Sequence, residues 1–352
     1  MTTHHFTVER STPLARTALG IGILLVITAA TLPLWAGNDI LITLVEFLYF
    51  LALAQMWNLL AGYGGLVSIG QQAYVGVGAY ALVSMSLFFG VNPYVAVPLA
   101  GIFAGLVAWP AARILFRLQG PYFAIGSWVL AEILRLFLSN TTQLGGGSGI
   151  SITEVMAPID AWWRDAMSFW LALGVGAGSV IAVYFLLRSK QGMALTAVRD
   201  SETASESLGV SVGRIKLQVY IASAIGTGII GALIFLTKLR VSPDAAFSVE
   251  WSALIIFIVV IGGVGTIEGP LIGTILYFLL RNFLADYGSW YMILLGAIAV
   301  VTMLYMRKGL WGWAAEKFDI QLFPVQRRLV RHGAPRSNES TPSLNLVSGE
   351  KA

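Results

Sequence analysis

Ten mostly apolar stretches follow one another through this chain, at about 17–36, 40–61, 69–89, 94–116, 121–139, 167–188, 215–238, 250–265, 268–286 and 289–306. No other feature constrains the fold as strongly. Hydrocarbon about 30 Å thick takes about 20 apolar residues of helix to cross. Inside it every backbone N–H and C=O must find a partner in the protein, which a helix supplies within its own segment. Only 11% of the residues are charged, against roughly 25% in soluble domains, too few to cover a soluble surface. The expected fold is an all-α, polytopic integral membrane protein with about ten transmembrane segments. The first, Thr17 to Trp35, follows Arg10 and Arg16 as the apolar part of a signal peptide would. Its length, and the lack of a clean small-x-small cleavage site after it, favour an uncleaved first span.

Ten spans put both termini on one side. With the N-terminus inside, the cytoplasmic loops collect Arg113, Arg117, Arg188, Lys190, Arg199, Arg214, Lys216, Arg307, Lys308 and a basic tail. Of the 22 Lys and Arg, only Arg135, Arg164, Lys238, Arg240 and Arg281 fall elsewhere. Positive charge gathers on cytoplasmic loops, so both termini are expected in the cytoplasm. The resulting organisation is a cytoplasmic N-terminus (1–16), a transmembrane domain (17–306) with a cytoplasmic loop at about 189–214, and a cytoplasmic tail (307–352). From about Arg331 the tail is polar and rich in Ser, Asn and Pro. It cannot bury enough apolar area to order itself and is expected to be disordered.

Two glycine motifs interrupt this pattern. Gly64-Gly65-Leu66-Val67-Ser68-Ile69 and Gly262-Gly263-Val264-Gly265-Thr266-Ile267 both read Gly-Gly-x-x-Ser/Thr-Ile, and each lies between apolar runs. The second continues into Glu268-Gly-Pro. Such residues free backbone groups that lipid cannot satisfy, and irregular backbone at membrane depth survives only where protein or a water-filled cavity covers it. Transporters are often built from internal repeats with broken helices near the substrate path. The motifs therefore predict broken or short helices, with Ser68, Gln71, Gln72, Thr266 and Glu268 supplying polar groups beside Gly64, Gly65, Gly262 and Gly263. Tight helix packing through small residues is the other reading. The topology gives both motifs the same sense, so they do not indicate an inverted repeat.

Polar residues inside spans are costly and mark function by default. Glu46 lies mid-span with no local partner, and Gln55 and Asn58 follow it on the same segment. Glu132 and Arg135 are three apart, which lets them share a helix face, and they are expected to form a structural ion pair. In the loop from Ser189 to Lys216, Gly192 and Gly209 bracket an expected helix, MALTAVRDSETASESL. Leu195 and Val198, with Ala194, Ala197 and Ala204, offer it a small apolar face; Arg199, Asp200, Glu202 and Glu206 offer a polar one. So short a helix is marginal alone and makes sense docked on another protein; an ordinary solvated loop helix is the plain alternative.

Several classes are disfavoured. There is no cysteine, and the three histidines, His4, His5 and His332, lie near the ends. No phosphate-binding G-x-x-x-x-G-K-[ST] loop, H-E-x-x-H pair or G-x-S-x-G elbow occurs, so neither ATP binding by that route nor a membrane-embedded enzyme is indicated. A proton-coupled secondary transporter with Glu46 or Glu132 as carrier remains an alternative, but it would need no docking helix.

Five segments in order resemble one family: NLLAGYGGLVSIGQQAYVGVGAYAL (58–82), GPYFAIGSWVLAEILRLF (120–137), GGGSGI (145–150), GMALTAVRDSETASESLGV (192–210) and GGVGTIEGPLIGT (262–274). Together they are similar to LivM-type membrane permease subunits of branched-chain amino acid ABC importers, over most of residues 40–310. The resemblance implies a non-catalytic bacterial inner-membrane subunit with no cofactor. Its partners would be a sister permease of the LivH type, two cytoplasmic ABC ATPases and a periplasmic substrate-binding protein. Glu46, Asn58 and the glycine-motif residues would border the translocation pathway. Gly192, Leu195, Ala197, Val198, Arg199, Ala204 and Gly209 would belong to the ATPase-coupling helix. The chain departs from the family in having Gln71 where a histidine is usual and Tyr74 where a phenylalanine is usual. Its Thr203-Ala204-Ser205 with Gly209 keeps the spacing of the EAA-x-x-x-G loop without the acid. Related permeases serve urea and short amides, so the substrate class implied is branched-chain amino acids first, with other amino acids or urea and short amides behind.

Overall fold

The computed structural model describes residues 6–9, 13–284, 290–306, 308–318, 322–323 and 328–331. Within them prolines and glycines set most helix boundaries. Pro13, Pro93, Pro121 and Pro243 each open a helix, where the missing N–H has no intrahelical partner to lose. The helices are α1 (Pro13–Ala30), α2 (Asn38–Asn58), α3 (Gln72–Phe88), α4 (Pro93–Leu115) and α5 (Pro121–Ser139). A single turn, α6 (Thr153–Met156), leads to α7 (Ala161–Arg188), α8 (Lys190–Asp200), α9 (Glu202–Ser207) and α10 (Val212–Lys238). The chain ends with α11 (Pro243–Ala246), α12 (Val249–Gly262), α13 (Glu268–Leu284), α14 (Trp290–Tyr305) and α15 (Gly309–Phe318).

By length and composition, 8 helical stretches are able to cross a membrane: Thr17–Leu34, Asn38–Tyr63, Pro93–Leu115, Pro121–Ser139, Ala161–Arg188, Val212–Lys238, Pro243–Gly262 and Ile293–Phe318. The protein is thus an all-α, multi-pass membrane protein. Two of the ten expected segments fall short of this measure, α3 and α13, each 17 residues long. Both start on the glycine motifs, so the count of about ten includes two shortened helices.

α10 is the centre of the bundle, packed on α3, α4 and α2. The contact with α3 has no room for side chains at its closest points. A Cβ on Gly78 would overlap the Gly228 carbonyl, and one on Gly231 would overlap the Val75 carbonyl. Without a hydrophobic drive in lipid, small residues that let backbones approach supply helix association through van der Waals contact. α1 stands at the margin, its apolar side chains exposed. Trp170 and Trp162 of α7 tie down its exit by donating to the carbonyls of Ala30 and Pro33.

Two small antiparallel pairs complete the fold. Ile150–Ser151 pairs with Arg240–Val241 at the end of α5 and α10. Phe6–Glu9 pairs with Arg328–Arg331, which brings the two ends of the described chain to the same side. Arg331, where the expected disordered tail begins, is the last residue of that strand. Residues 332–352, the three histidines, Arg10 and Arg307 lie outside the described residues.

Candidate functional site

The second glycine motif meets the end of α2, directly ahead of the first motif. α2 ends in a single π-helical segment, Leu59–Tyr63. There Gly62 lies so close to Gly265 that a Cβ on it would stand 2.6 Å from the Gly265 nitrogen. Asn58, at the end of α2, holds the second motif through both ends of its amide: Nδ2 donates to the Thr266 carbonyl at 2.7 Å, and Oδ1 accepts from Gly265 N–H at 2.8 Å. One turn earlier, Gln55 Nε2 donates to the Ile267 carbonyl at 2.7 Å. Both amide side chains are fully buried. Backbone that has left helical pairing is thus satisfied by side chains of a neighbouring helix, as hydrocarbon requires.

The segment after Tyr63 turns at Gly65 (φ 69°), a left-handed conformation suited to glycine, and runs back into the bundle before α3 starts. Trp57 donates to the Ser68 carbonyl at 2.8 Å. Ser127 of α5 accepts from the N–H groups of both Ile69 and Gly70 at 3.1 Å. Gln71 Nε2 donates to Ser223 and Thr227, at 2.8 and 2.7 Å, well inside α10. Gln72 accepts from Ser252 of α12. In the second motif, Thr266 Oγ1 donates to the Gly263 carbonyl at 2.9 Å and accepts from Gly269 N–H at 3.0 Å, closing the first turn of α13. Glu268, buried at the start of α13, accepts from Phe323 N–H at 3.0 Å. A Cβ on Gly262 would overlap the Gly269 carbonyl, and Gly263 stands against the Lys308 carbonyl. Asn58, Ser68, Gln71, Gln72, Thr266 and Glu268 are therefore engaged within the packed junction. In this conformation they do not face the cavity described below.

The loop at 189–214, expected in the cytoplasm, lies on this junction, in a form that corrects the expected single helix. Ser201 ends α8 and caps α9, accepting from Ala204 N–H at 3.3 Å. Helix starts also differ: α8 begins at Lys190, with Ser189 as its cap and Gly192 inside it, buried against Leu187. Gly209 (φ 84°) follows α9, with Val210 N–H returning to the Ser205 carbonyl at 3.0 Å. The apolar face expected to dock on another protein is instead turned inward. Leu195 is 0% and Val198 1% exposed, with Leu195 Cδ1 near Gly64. The reason is proximity: the chain's own broken helix covers that face. Ala197 and Ala204 point outward, with Met193 and the 83%-exposed Leu208. Arg199 reaches the other way, donating through Nη1 to the Gly62 carbonyl at 2.9 Å and lying beside Gly265.

At the opposite end of the bundle, α2, α7 and α10 border an open cavity of about 260 Å³. Glu46 lines it. It has no basic partner on its own helix, as the local sequence indicates, and pairs instead with Arg281 of α13 at 2.6 Å. Glu132 and Arg135 also join at 2.6 Å, and Arg135 holds Asp244 at the same distance. The residues not singled out from sequence, Ser127, Ser223, Thr227 and Ser252, carried one available signal: each is a hydroxyl inside an apolar run.

The family model described as "Branched-chain amino acid transport system / permease component" matches residues 39–303, a stretch that contains both glycine turns and the loop on them. The chain belongs to this permease family. It is 28% identical over 279 residues to the high-affinity branched-chain amino acid transport system permease protein LivM of Escherichia coli, covering 72% of this chain and 65% of that one. The Salmonella typhimurium permease of the same name matches equally far. This chain therefore spans about 65% of the length of those two relatives. A probable LivM of Methanocaldococcus jannaschii is 25% identical over 65% of this chain. The ribose import permease RbsC of Haemophilus influenzae is 27% identical over 34%. No solved structure matches. As a permease component, the family member is a transport subunit built of membrane helices.

Proposed function

We propose that this chain is one of two membrane permease subunits of an ATP-driven, binding-protein-dependent importer for branched-chain amino acids. It would sit in a bacterial inner membrane with both termini in the cytoplasm. A LivH-like sister permease, two cytoplasmic ABC ATPases and a periplasmic binding protein complete the assembly, and ATP hydrolysis belongs to the ATPases. The observation that carries the reading is the Arg199–Gly62 contact. It connects α8, on the outer side of which an ATPase would dock, to the place where both broken helices meet. Movement of α8 and α9 on ATPase closure shifts that junction, and nucleotide thereby biases the pathway between its two states. Asn58 and the glycine-turn residues act as the articulation, and Glu46 borders the outer end of the pathway.

The alternative in which Glu46 carries a proton fits less well, because its carboxylate is already engaged by the Arg281 guanidinium at 2.6 Å. Urea or short amides remain the second substrate class. The deciding experiment is radiolabelled leucine uptake into proteoliposomes holding this chain, its sister permease and the ATPases, with binding protein outside and ATP inside. Uptake that needs ATP and every partner is expected. Uptake by this chain alone, driven by a proton gradient, would overturn the proposal.

A further inference from the structure

The cavity at the end of the bundle away from α8 carries charges of both signs on facing helices. Glu46 comes from α2, Arg164 and Asp165 from the first turns of α7, and Lys238 from the last turn of α10. These charges are not equally committed. Glu46 is held by Arg281 at 2.6 Å. Asp165 is held loosely, 3.9 Å from Arg164 and 3.3 Å from the Asn38 amide. Lys238 has no carboxylate within salt-bridge distance among the described residues. Its ammonium lies 5.0 Å from the centre of the Trp251 ring and 5.8 Å from that of Phe235. A cation over aromatic faces keeps its capacity to donate to an arriving anion. The rest of the wall is mixed: Leu41, Val45 and Leu236 are among its aliphatic residues, and Tyr49, Ser168 and Thr237 add hydroxyl groups.

We propose that this cavity receives the zwitterionic head of an aliphatic α-amino acid. Lys238 takes the carboxylate, Asp165 takes the ammonium, and Leu41, Val45 and Leu236 contact the side chain. The proposal rests on the importer reading, and it adds a selection point within the permease itself. An amine or a carboxylic acid of the same shape would engage only one of the two charges, so the arrangement favours the zwitterion. A volume of about 260 Å³ leaves room for the head of a small molecule.

The test uses the full chain in lipid nanodiscs and radiolabelled L-leucine, with isoamylamine (no carboxylate) and 4-methylpentanoate (no ammonium) as competitors. Lys238→Gln is expected to weaken leucine binding about tenfold or more, as for loss of a charged hydrogen bond, while leaving isoamylamine competition unchanged. Lys238→Arg is expected to keep most of the binding. Asp165→Asn is expected to weaken leucine and isoamylamine alike and to spare 4-methylpentanoate. A structural role for either residue would lower all three ligands together. Equal leucine binding by wild type and both variants, or no saturable binding by wild type, overturns the cavity assignment. ATP-dependent uptake in the complete assembly is read separately. Uptake unaffected by Lys238→Gln with binding also unaffected removes the cavity alone. Leucine binding without ATP-dependent uptake removes the importer reading instead.

Discussion

Replacing Asn58 by leucine tests the idea that the second glycine turn is held to the end of α2 by one side chain. The substitution nearly conserves volume and apolar packing, so its effect isolates the amide. It removes the acceptor for Gly265 N–H and the donor for the Thr266 carbonyl, at a position that is fully buried. Each buried polar group left unpaired costs about 1–3 kcal/mol, so the two together cost roughly 2–6 kcal/mol. At roughly 2 °C per kcal/mol for a chain of this size, the apparent unfolding midpoint is expected to fall by about 4–12 °C. The assay is thermal unfolding of the detergent-solubilised chain followed by tryptophan fluorescence. A useful comparator is Asn92→Ala, which removes an exposed helix cap on α4 worth about 1 kcal/mol, hence about 2 °C. Asn58→Asp is the sharper companion: it keeps an acceptor for Gly265 but sets a second acceptor against the Thr266 carbonyl. It is expected to be at least as damaging as leucine. If Asn58→Leu melts within 1 °C of wild type, the junction does not depend on this amide and the reasoning is wrong.

Two further outcomes follow from the same geometry. Gly70→Ala puts a Cβ into the Ser127 carbonyl and is expected to cut the yield of folded protein on a size-exclusion column several-fold; Gly147→Ala, which meets open space, is the control that stays at wild-type yield. Leu195→Asp buries a charge inside the chain and is expected to lower folded yield. Leu208→Asp, on the exposed side of the loop, is expected to leave yield unchanged and weaken retention of the ATPase subunits on affinity purification; the reverse pattern would refute the orientation assigned to α8 and α9.

How much was legible depends on the distance over which the cause acts. Glu132 and Arg135 were readable as a pair because three residues of helix put them on one face; Asp244, which completes the group, comes from a different part of the chain. Gly64–Ile69 and Gly262–Ile267 were readable as breaks, since glycine and polar residues between apolar runs have few other uses in a membrane. That the breaks touch, through Gly62, Gly265 and Asn58, was not readable. Nothing local to either motif specifies the other. Likewise Leu195 and Val198 were readable as an apolar face, but not as one covered by this chain's own broken helix.

That this protein is a bundle of membrane helices, where most of them begin and end, and which two are interrupted can all be read along the chain. Those properties follow from a rule applied residue by residue: hydrocarbon demands long apolar runs with internally paired backbone. The contact between the breaks, the pairing of Glu46 with Arg281 and the shared cavity of Lys238 and Asp165 arise from the folded bundle. Lipid does not sort one apolar helix face from another. Partner choice therefore falls to close packing and buried hydrogen bonds between segments up to about 200 residues apart, and these exist only once the helices have assembled.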